Sequence, residues 1–251
     1  MTGRLMIVGL GPGPSEWVTP EASAAIEAAS DVVGYGPYVA RLRLRPDQHT
    51  HASDNRVEME RARHALELAA AGREVALVSG GDPGVFAMAA AVFEAVEGAP
   101  EWLRLDIRVA PGVTAMQAAA ARLGAPLGHD FCAISLSDNL KPWAVVERRL
   151  RAAAEGDFVI ALYNPASQAR PTRIVEAFDL VRGVKAPTTP VAFARAVGSA
   201  DETLTTTMLG EADASVADMA TLVIIGSSET RFIAREGARP WMMTPRAYGG
   251  R

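Results

Sequence analysis

The chain has 251 residues, 49% of them hydrophobic and 22% charged, and carries a net charge of −4 at neutral pH. That composition supports a buried core, and the weakly negative balance excludes a general attraction to nucleic acid or to an anionic membrane. The single cysteine, Cys132, excludes an internal disulfide and a multi-cysteine metal site and fits a reducing compartment, read as the cytoplasm.

A polar Thr2-Gly3-Arg4 leads straight into an apolar run, without the h-region of a signal peptide. No stretch reaches the roughly 18 apolar residues of a membrane span. Short apolar runs then alternate with helical patterns, which predicts βαβ units around a mainly parallel sheet. Residues 5–8, 31–35, 74–79 and 105–109 read as strands. A helix over 57–71 carries Ala62, Ala65, Leu66 and Ala69 at helical spacing and stops at Gly72, a natural C′ glycine. Another follows Thr114 and ends at Gly124. Residues 125–130 hold Pro126 and Gly128 without periodicity and predict a linker, so domains are expected at 1–124 and 131–240. Strands follow at 131–136, 158–163, 190–194, 204–208 and 221–225, with a helix over 142–154. Between Pro190 and Met208 two strands adjoin through a short connection, so the second sheet is expected to be mixed. The tail beyond Trp241 is expected to be loose. The fold class is α/β: two α/β domains, the first with a mainly parallel sheet and the second with a mixed one, and a ligand cleft expected between them.

Four loops at strand ends are the candidates for the chemistry, the first of which also reads as a plain tight turn between strand and helix. The first, Gly9-Leu10-Gly11-Pro12-Gly13-Pro14, lacks the Gly-Lys-Ser/Thr ending of a nucleotide P-loop, and Pro14 stands where a dinucleotide fingerprint needs its third glycine. Asp31 lies at roughly the distance expected of a ribose-binding acid, but it starts its strand rather than ending it. In the second loop, Gly80-Gly81-Asp82-Pro83-Gly84-Val85, Asp82 suits a helix N-cap and Pro83 the first helical residue, with free amides there to meet a ligand carboxylate. The paired glycines ahead of them are not explained by capping and point to backbone brought close to a small molecule. A third loop runs from Ala110 to Ala115, with Thr114 as cap or ligand contact, and a fourth from Tyr163 to Ser167.

Conventional catalytic constellations are missing. The four histidines, His49, His51, His64 and His129, show no metal-binding spacing, and no Gly-x-Ser-x-Gly elbow occurs. His49 and His51 read as an exposed strand face and His129 as a linker hydrogen bonder. Chemistry that rests on the reactivity of a bound cofactor and on positioning suits this scarcity.

Taken together, Gly9-x-Gly11-Pro12-Gly13, Gly80-Gly81-Asp82-Pro83 and Pro111-Gly112-x-Thr114-Ala115 resemble the tetrapyrrole (corrin/porphyrin) methyltransferases, S-adenosylmethionine enzymes of two α/β domains. Three further stretches resemble the ring-contracting branch of that family: Gly34-Tyr35-Gly36-Pro37-Tyr38, Ser135-Leu136-Ser137-Asp138 with Pro142-Trp143, and Tyr163-Asn164-Pro165-Ala166-Ser167 with Arg170. The resemblance implies a homodimer that methylates C(17) of precorrin-3B, with contraction of the macrocycle to precorrin-4, in cobalamin biosynthesis. It implies S-adenosylmethionine contacts from Gly80, Gly81, Asp82, Val85, Thr114, Ala115, Tyr163, Asn164, Ala194 and Arg195, with Pro12 closing that site, and no metal. It turns the loop of Gly11 and Gly13 toward the tetrapyrrole. Tyr35 stands where some relatives carry an aspartate and is the candidate for a substrate-side catalytic role, packing being the equal alternative. The substrate's carboxylates call for Arg or Lys, with Arg41, Arg43, Arg45, Arg56 and Lys141 as candidates; the alternation from Arg41 to Arg45 also suits one solvated face of a strand. The cobalt-containing counterpart of the substrate, an NAD(P)-dependent oxidoreductase and a non-catalytic carrier remain as alternatives.

Overall fold

Alternation along β1 (Arg4–Gly9) organises the first half of the chain. Leu5 and Ile7 are buried against one layer of helices, and Val8 against the other. The same alternation recurs in β4 (Glu74–Ser79), with Val75 and Leu77 on the first side and Ala76 and Val78 on the second. Strands apolar on both faces are stable only when both faces are covered, which is the condition of a parallel sheet. The computed structural model describes residues 3–55, 57–167 and 170–248. In it β1 and β4 join β2 (Asp31–Tyr35), β3 (His49–Ser53) and β5 (Asp106–Ala110) in the order β3-β2-β4-β1-β5. Every pairing is parallel.

Helices α3 (Glu58–Ala70) and α4 (Met88–Glu97) cover the first face through Ala62, Leu66 and Val92. On the other face lie α1 (Pro20–Ala28) and the single turn α2 (Gly36–Val39). The start of α1 is written locally: Thr19 accepts the amide of Ala22 at 3.1 Å, and Pro20 takes the first helical position. The end of α3 is too, since Gly72 at φ 89° sits in the left-handed region expected of a C′ residue.

The chain divides into two compact units after Thr114, ahead of the expected linker. Helix α5 (Ala115–Leu123) belongs to the second unit, where it packs on β11 (Thr221–Ile225) and β13 (Ala238–Met243). Residues 125–130 are therefore no linker. Gly124–Ala125 form the short strand β6, parallel to β13, and Pro126 accepts a hydrogen bond from the hydroxyl of Thr244 at 2.6 Å. The segment from Trp241 to Met243 is not loose either, being paired with β12 (Arg231–Arg235), and the Tyr248 hydroxyl beyond it donates to the Asp157 carboxylate.

The second unit is built on the mixed sheet β10-β9-β11-β8-β7. Its strands are β7 (Phe131–Ser135), β8 (Val159–Tyr163), β9 (Pro190–Arg195), β10 (Thr203–Met208) and β11. Only β7 and β8 pair in parallel. Helices α6 (Trp143–Glu155) and α7 (Arg173–Arg182) cover it, with Leu150 and Phe178 in its core and Phe178 stacked on Phe193 at 5.8 Å. Among the described residues no helix is long and apolar enough to cross a membrane.

Candidate functional site

The order β4-β1-β5 sets the three glycine loops of the first unit side by side at the carboxyl ends of adjacent strands, the edge where α/β sheets take ligands. Gly11 and Gly81 bond reciprocally, amide to carbonyl at 3.1 and 3.0 Å, both in the left-handed region at φ 66° and 67°. Gly9 and Gly112 pack under this bridge so closely that a Cβ on Gly112 would fall 2.3 Å from the Gly81 oxygen, and one on Gly9 would fall 2.7 Å from the Gly112 nitrogen. The glycines are thus demanded by backbone touching backbone.

Asp82 locks the arrangement. Its Oδ2 accepts the amide of Gly112 at 3.0 Å and its Oδ1 the amide of Gly84 at 2.8 Å. It caps no helix, contrary to the sequence expectation: α4 begins at Met88, and the positive φ of Phe86, 53°, breaks any helical run from Pro83. The amides expected to be free for a ligand carboxylate are spent within the loop, Gly84 on the Asp82 side chain and Val85 on the Asp82 carbonyl at 3.2 Å. A phosphate-binding loop needs free amides and no carboxylate beside them, so this cradle disfavours an anion.

Tyr38, to which the sequence stretch 34–38 assigned no role, lies against Gly80: a Cβ there would fall 2.6 Å from its ring. Tyr35 ends β2 and meets Tyr38 edge-on at 5.3 Å, and burial pushes the Tyr38 phenol above its ordinary pKa. Pro12 and Gly13 follow the bridge, and the Gly13 carbonyl accepts from Arg41. Thr114, buried, closes the third loop, and Ala115 opens α5 on the other side of the division.

In the second unit Val223 registers with both Leu162 and Phe193, so β8 and β9 end at the same edge of the sheet. Tyr163, last of β8, accepts the amide of Met116 on its hydroxyl at 3.1 Å. Asn164, at φ 52°, donates its amide group to the Ser135 hydroxyl at 2.9 Å; asparagine is among the few residues that tolerate that backbone region. Ala194 and Arg195 end β9, and Arg195 pairs with Asp218 at 2.8 Å. Lys141 lies in the loop between β7 and α6.

The basic run from Arg41 to Arg45 forms no strand: Arg41 holds the Gly13 carbonyl, and Arg45 is occupied by Asp47 at 3.1 Å and by the Glu27 carbonyl. Arg56 lies outside the described residues. The pair His49 and His51 is likewise not a plain exposed face. His51 sits 3.0 Å from Asp31 through Nε2 and 3.0 Å from His64 through Nδ1. Arg73 holds the other oxygen of Asp31 at 2.7 Å. This group stands at the start of β2, away from the glycine edge, which removes Asp31 as a ribose-binding acid and with it the main support for an oxidoreductase. Among the described residues no group of three or more His, Cys, Asp or Glu is placed to hold a metal ion.

One α/β unit with three glycine loops side by side at its strand ends, and a second α/β unit with a mixed sheet, define a two-unit α/β protein with a candidate ligand edge. The model of the tetrapyrrole (corrin/porphyrin) methylases matches residues 4–213, and the chain belongs to that family. Over 251 residues, 100% of this chain and 99% of the relative, it is 60% identical to the precorrin-3B C(17)-methyltransferase of Sinorhizobium sp. It is 43% identical to the probable cobalt-factor III C(17)-methyltransferase of Salmonella typhimurium (strain LT2), over 97% of this chain and 99% of the relative. The solved structure of the methyltransferase CobJ matches with a TM-score of 0.93 and 51% identity, covering 97% of this chain and 100% of that one.

Proposed function

We propose that the protein transfers the methyl group of S-adenosylmethionine to C(17) of precorrin-3B, with ring contraction to precorrin-4, in cobalamin biosynthesis. The observation that carries this reading is the 60% identity, end to end, to an enzyme of that name. The cobalt-containing substrate is the second reading, favoured by the 43% identical relative that is named for it.

The residues of the first unit fit the methyl donor. Its ligand edge offers open backbone at Gly81, where an added Cβ would meet nothing closer than 3.9 Å, and the Asp82 carboxylate suits a cation beside it. Bound there, S-adenosylmethionine supplies an electrophilic methyl carried on a positively charged sulfur. Gly80, Gly81, Asp82, Val85 and Thr114 of the first unit are assigned to it, with Pro12 closing the site. Ala115, Tyr163, Asn164, Ala194 and Arg195 of the second unit are assigned to it as well. Gly11, Gly13, Tyr35 and Lys141 are assigned to the tetrapyrrole. The protein's contribution to methyl transfer is position, holding donor and acceptor carbons in line at near-attack distance. Fixed backbone loops serve that better than mobile side chains: the Gly11–Gly81 bridge and the Asp82 tie hold the loops rigid. Tyr35 meets Tyr38 edge-on beside the glycine edge, and the pair is assigned to orienting the macrocycle. A homodimer and a cytoplasmic location belong to the same proposal.

The test is incubation of the pure protein with precorrin-3B and methyl-labelled S-adenosylmethionine, in parallel with cobalt-factor III. Label in a contracted macrocycle from precorrin-3B supports the reading. Label from the cobalt substrate alone moves the assignment to that substrate, and no transfer from either overturns it in favour of a carrier.

A further inference from the structure

The loops that follow β7 and β8 gather more positive charge than they neutralise. The Asp138 carboxylate lies between two guanidinium groups: Arg173 donates from Nε to Oδ2 at 3.0 Å, and Arg170 Nε stands 3.6 Å from Oδ1. Arg173 is answered a second time by Glu176 at 2.7 Å. Arg170 has no second carboxylate among the described residues, although its side chain is only 10% exposed; its Nη1 donates to the Leu136 carbonyl at 3.1 Å. Lys141 has no ion pair or hydrogen bond among the described residues, and burial, with Arg149 and Arg170 nearby, holds its ammonium below its ordinary pKa against the pull of Asp138.

The aromatic member of the group is also unfinished. Arg173 covers the ring of Trp143 at 4.5 Å, and the buried indole Nε1–H of Trp143 has no acceptor. A buried indole N–H ordinarily finds a partner, and a partly buried ammonium with other cations beside it gains from an added counterion. Lys141 and Trp143 lie two residues apart where the loop enters α6, and guanidinium and ammonium groups bind carboxylates with charge-assisted hydrogen bonds.

We propose that Lys141, Arg170 and the indole N–H of Trp143 form an anchoring subsite for one carboxylate side chain of the tetrapyrrole, with Asp138 and Arg173 fixing the orientation of Arg170 and of the indole. The proposal rests on the methyl-transfer reading above and deepens it. Arg170, Arg173 and Asp138 are positioning or anchoring groups and take no part in bond making.

The test compares the wild type with Lys141→Ala, Lys141→Arg and Trp143→Phe. Two readouts are used: steady-state kinetics with precorrin-3B, and titration with uroporphyrin III, a stable porphyrin bearing carboxylate side chains, followed by tryptophan fluorescence. Lys141→Ala is expected to raise KM for the tetrapyrrole and to weaken uroporphyrin binding by about tenfold, in line with loss of a hydrogen bond to a charged group. The KM for S-adenosylmethionine and kcat should stay near wild type, and Lys141→Arg should restore most of the loss. The two Lys141 variants change a partly exposed loop side chain, so they test the subsite even where Trp143→Phe disturbs folding. Tetrapyrrole KM and uroporphyrin affinity within twofold of wild type in both Lys141→Ala and Trp143→Phe overturn the subsite. A wild type that binds uroporphyrin through Lys141 yet transfers no methyl group overturns the methyl-transfer reading and leaves the subsite standing.

Discussion

Gly112 donates its amide to Asp82 Oδ2 at 3.0 Å, joining two loops whose residues lie 30 positions apart in sequence. The same carboxylate holds Gly84, so one side chain sets the mutual position of the loops after β4 and β5.

Asp82→Asn therefore tests more than a charge. The substituted amide can still accept one N–H but cannot accept both, which leaves a backbone donor unanswered at a cost of about 1–3 kcal/mol. Urea denaturation should show that loss, and calorimetric titration with S-adenosylhomocysteine should show affinity reduced by about tenfold. Unchanged affinity in a stably folded variant would remove Asp82 from the cofactor assignment.

Two glycine substitutions should separate crowding from backbone conformation. In Gly112→Ala the new Cβ meets the Gly81 oxygen at 2.3 Å, so the loops must move apart, costing about 1–3 kcal/mol or more. In Gly237→Ala, at the turn between β12 and β13, nothing lies within 4 Å and only the φ of 63° is unfavourable, costing about 1–2 kcal/mol. Gly112→Ala should lose cofactor affinity as well as stability in the same melts and titrations. Gly237→Ala should lose stability alone.

Acid should weaken the fold through two carboxylates. At Asp31 burial opposes ionisation, but hydrogen bonds from Arg73, Ser30 and His51 outweigh it and hold the pKa at about 2. At Asp157 burial is likewise outweighed by Ser228, Tyr248 and Lys185, again giving about 2. A folded pKa below the unfolded value means stability that is complete above about pH 5 and is lost as pH falls from about 4 toward 2. Each group contributes on the order of 2 kcal/mol. Asp31→Asn should flatten the pH dependence of the urea midpoint in that window. An identical acid limb in the variant would show that Asp31 does not carry it.

Cys132 should be inert in the native protein. Burial pushes its thiol up to about 11, so almost no thiolate exists at neutral pH, and the thiolate is the reacting form. Labelling with Ellman's reagent should be slow under native conditions and fast in urea. Rapid native labelling would contradict this.

The strands at 31–35, 74–79 and 221–225 coincide with β2, β4 and β11, because runs buried on both sides are continuously apolar and end at glycine or polar residues. The division between the units was not legible. Pro126 and Gly128 do break the local pattern, but a break in pattern does not say which unit the residues pack on. Here β13, far along the chain, captures β6. The order of the tail beyond Trp241 is not legible either: β12 is a near neighbour in sequence, but β6 and Asp157, which also hold it, are distant. Asp82 illustrates a subtler limit: Asp-Pro after glycine is a sound helix start locally, and only the nearby Gly112 amide decides otherwise.

By itself, then, the sequence determined most strands of the two five-stranded sheets, where the glycines stand and, through their joint pattern, the family resemblance, but not β6, β12 and β13. These are local properties, carried by side-chain periodicity and backbone freedom. The tertiary structure alone decided that β4, β1 and β5 are neighbours, so that three loops distant in sequence share one edge and consume one another's amides. It also decided that Lys141, Asp138, Arg170, Arg173 and Trp143 form one electrostatic group. Crossover connections and long-range burial set those neighbours, and neither leaves a signal in the residues on either side of a loop.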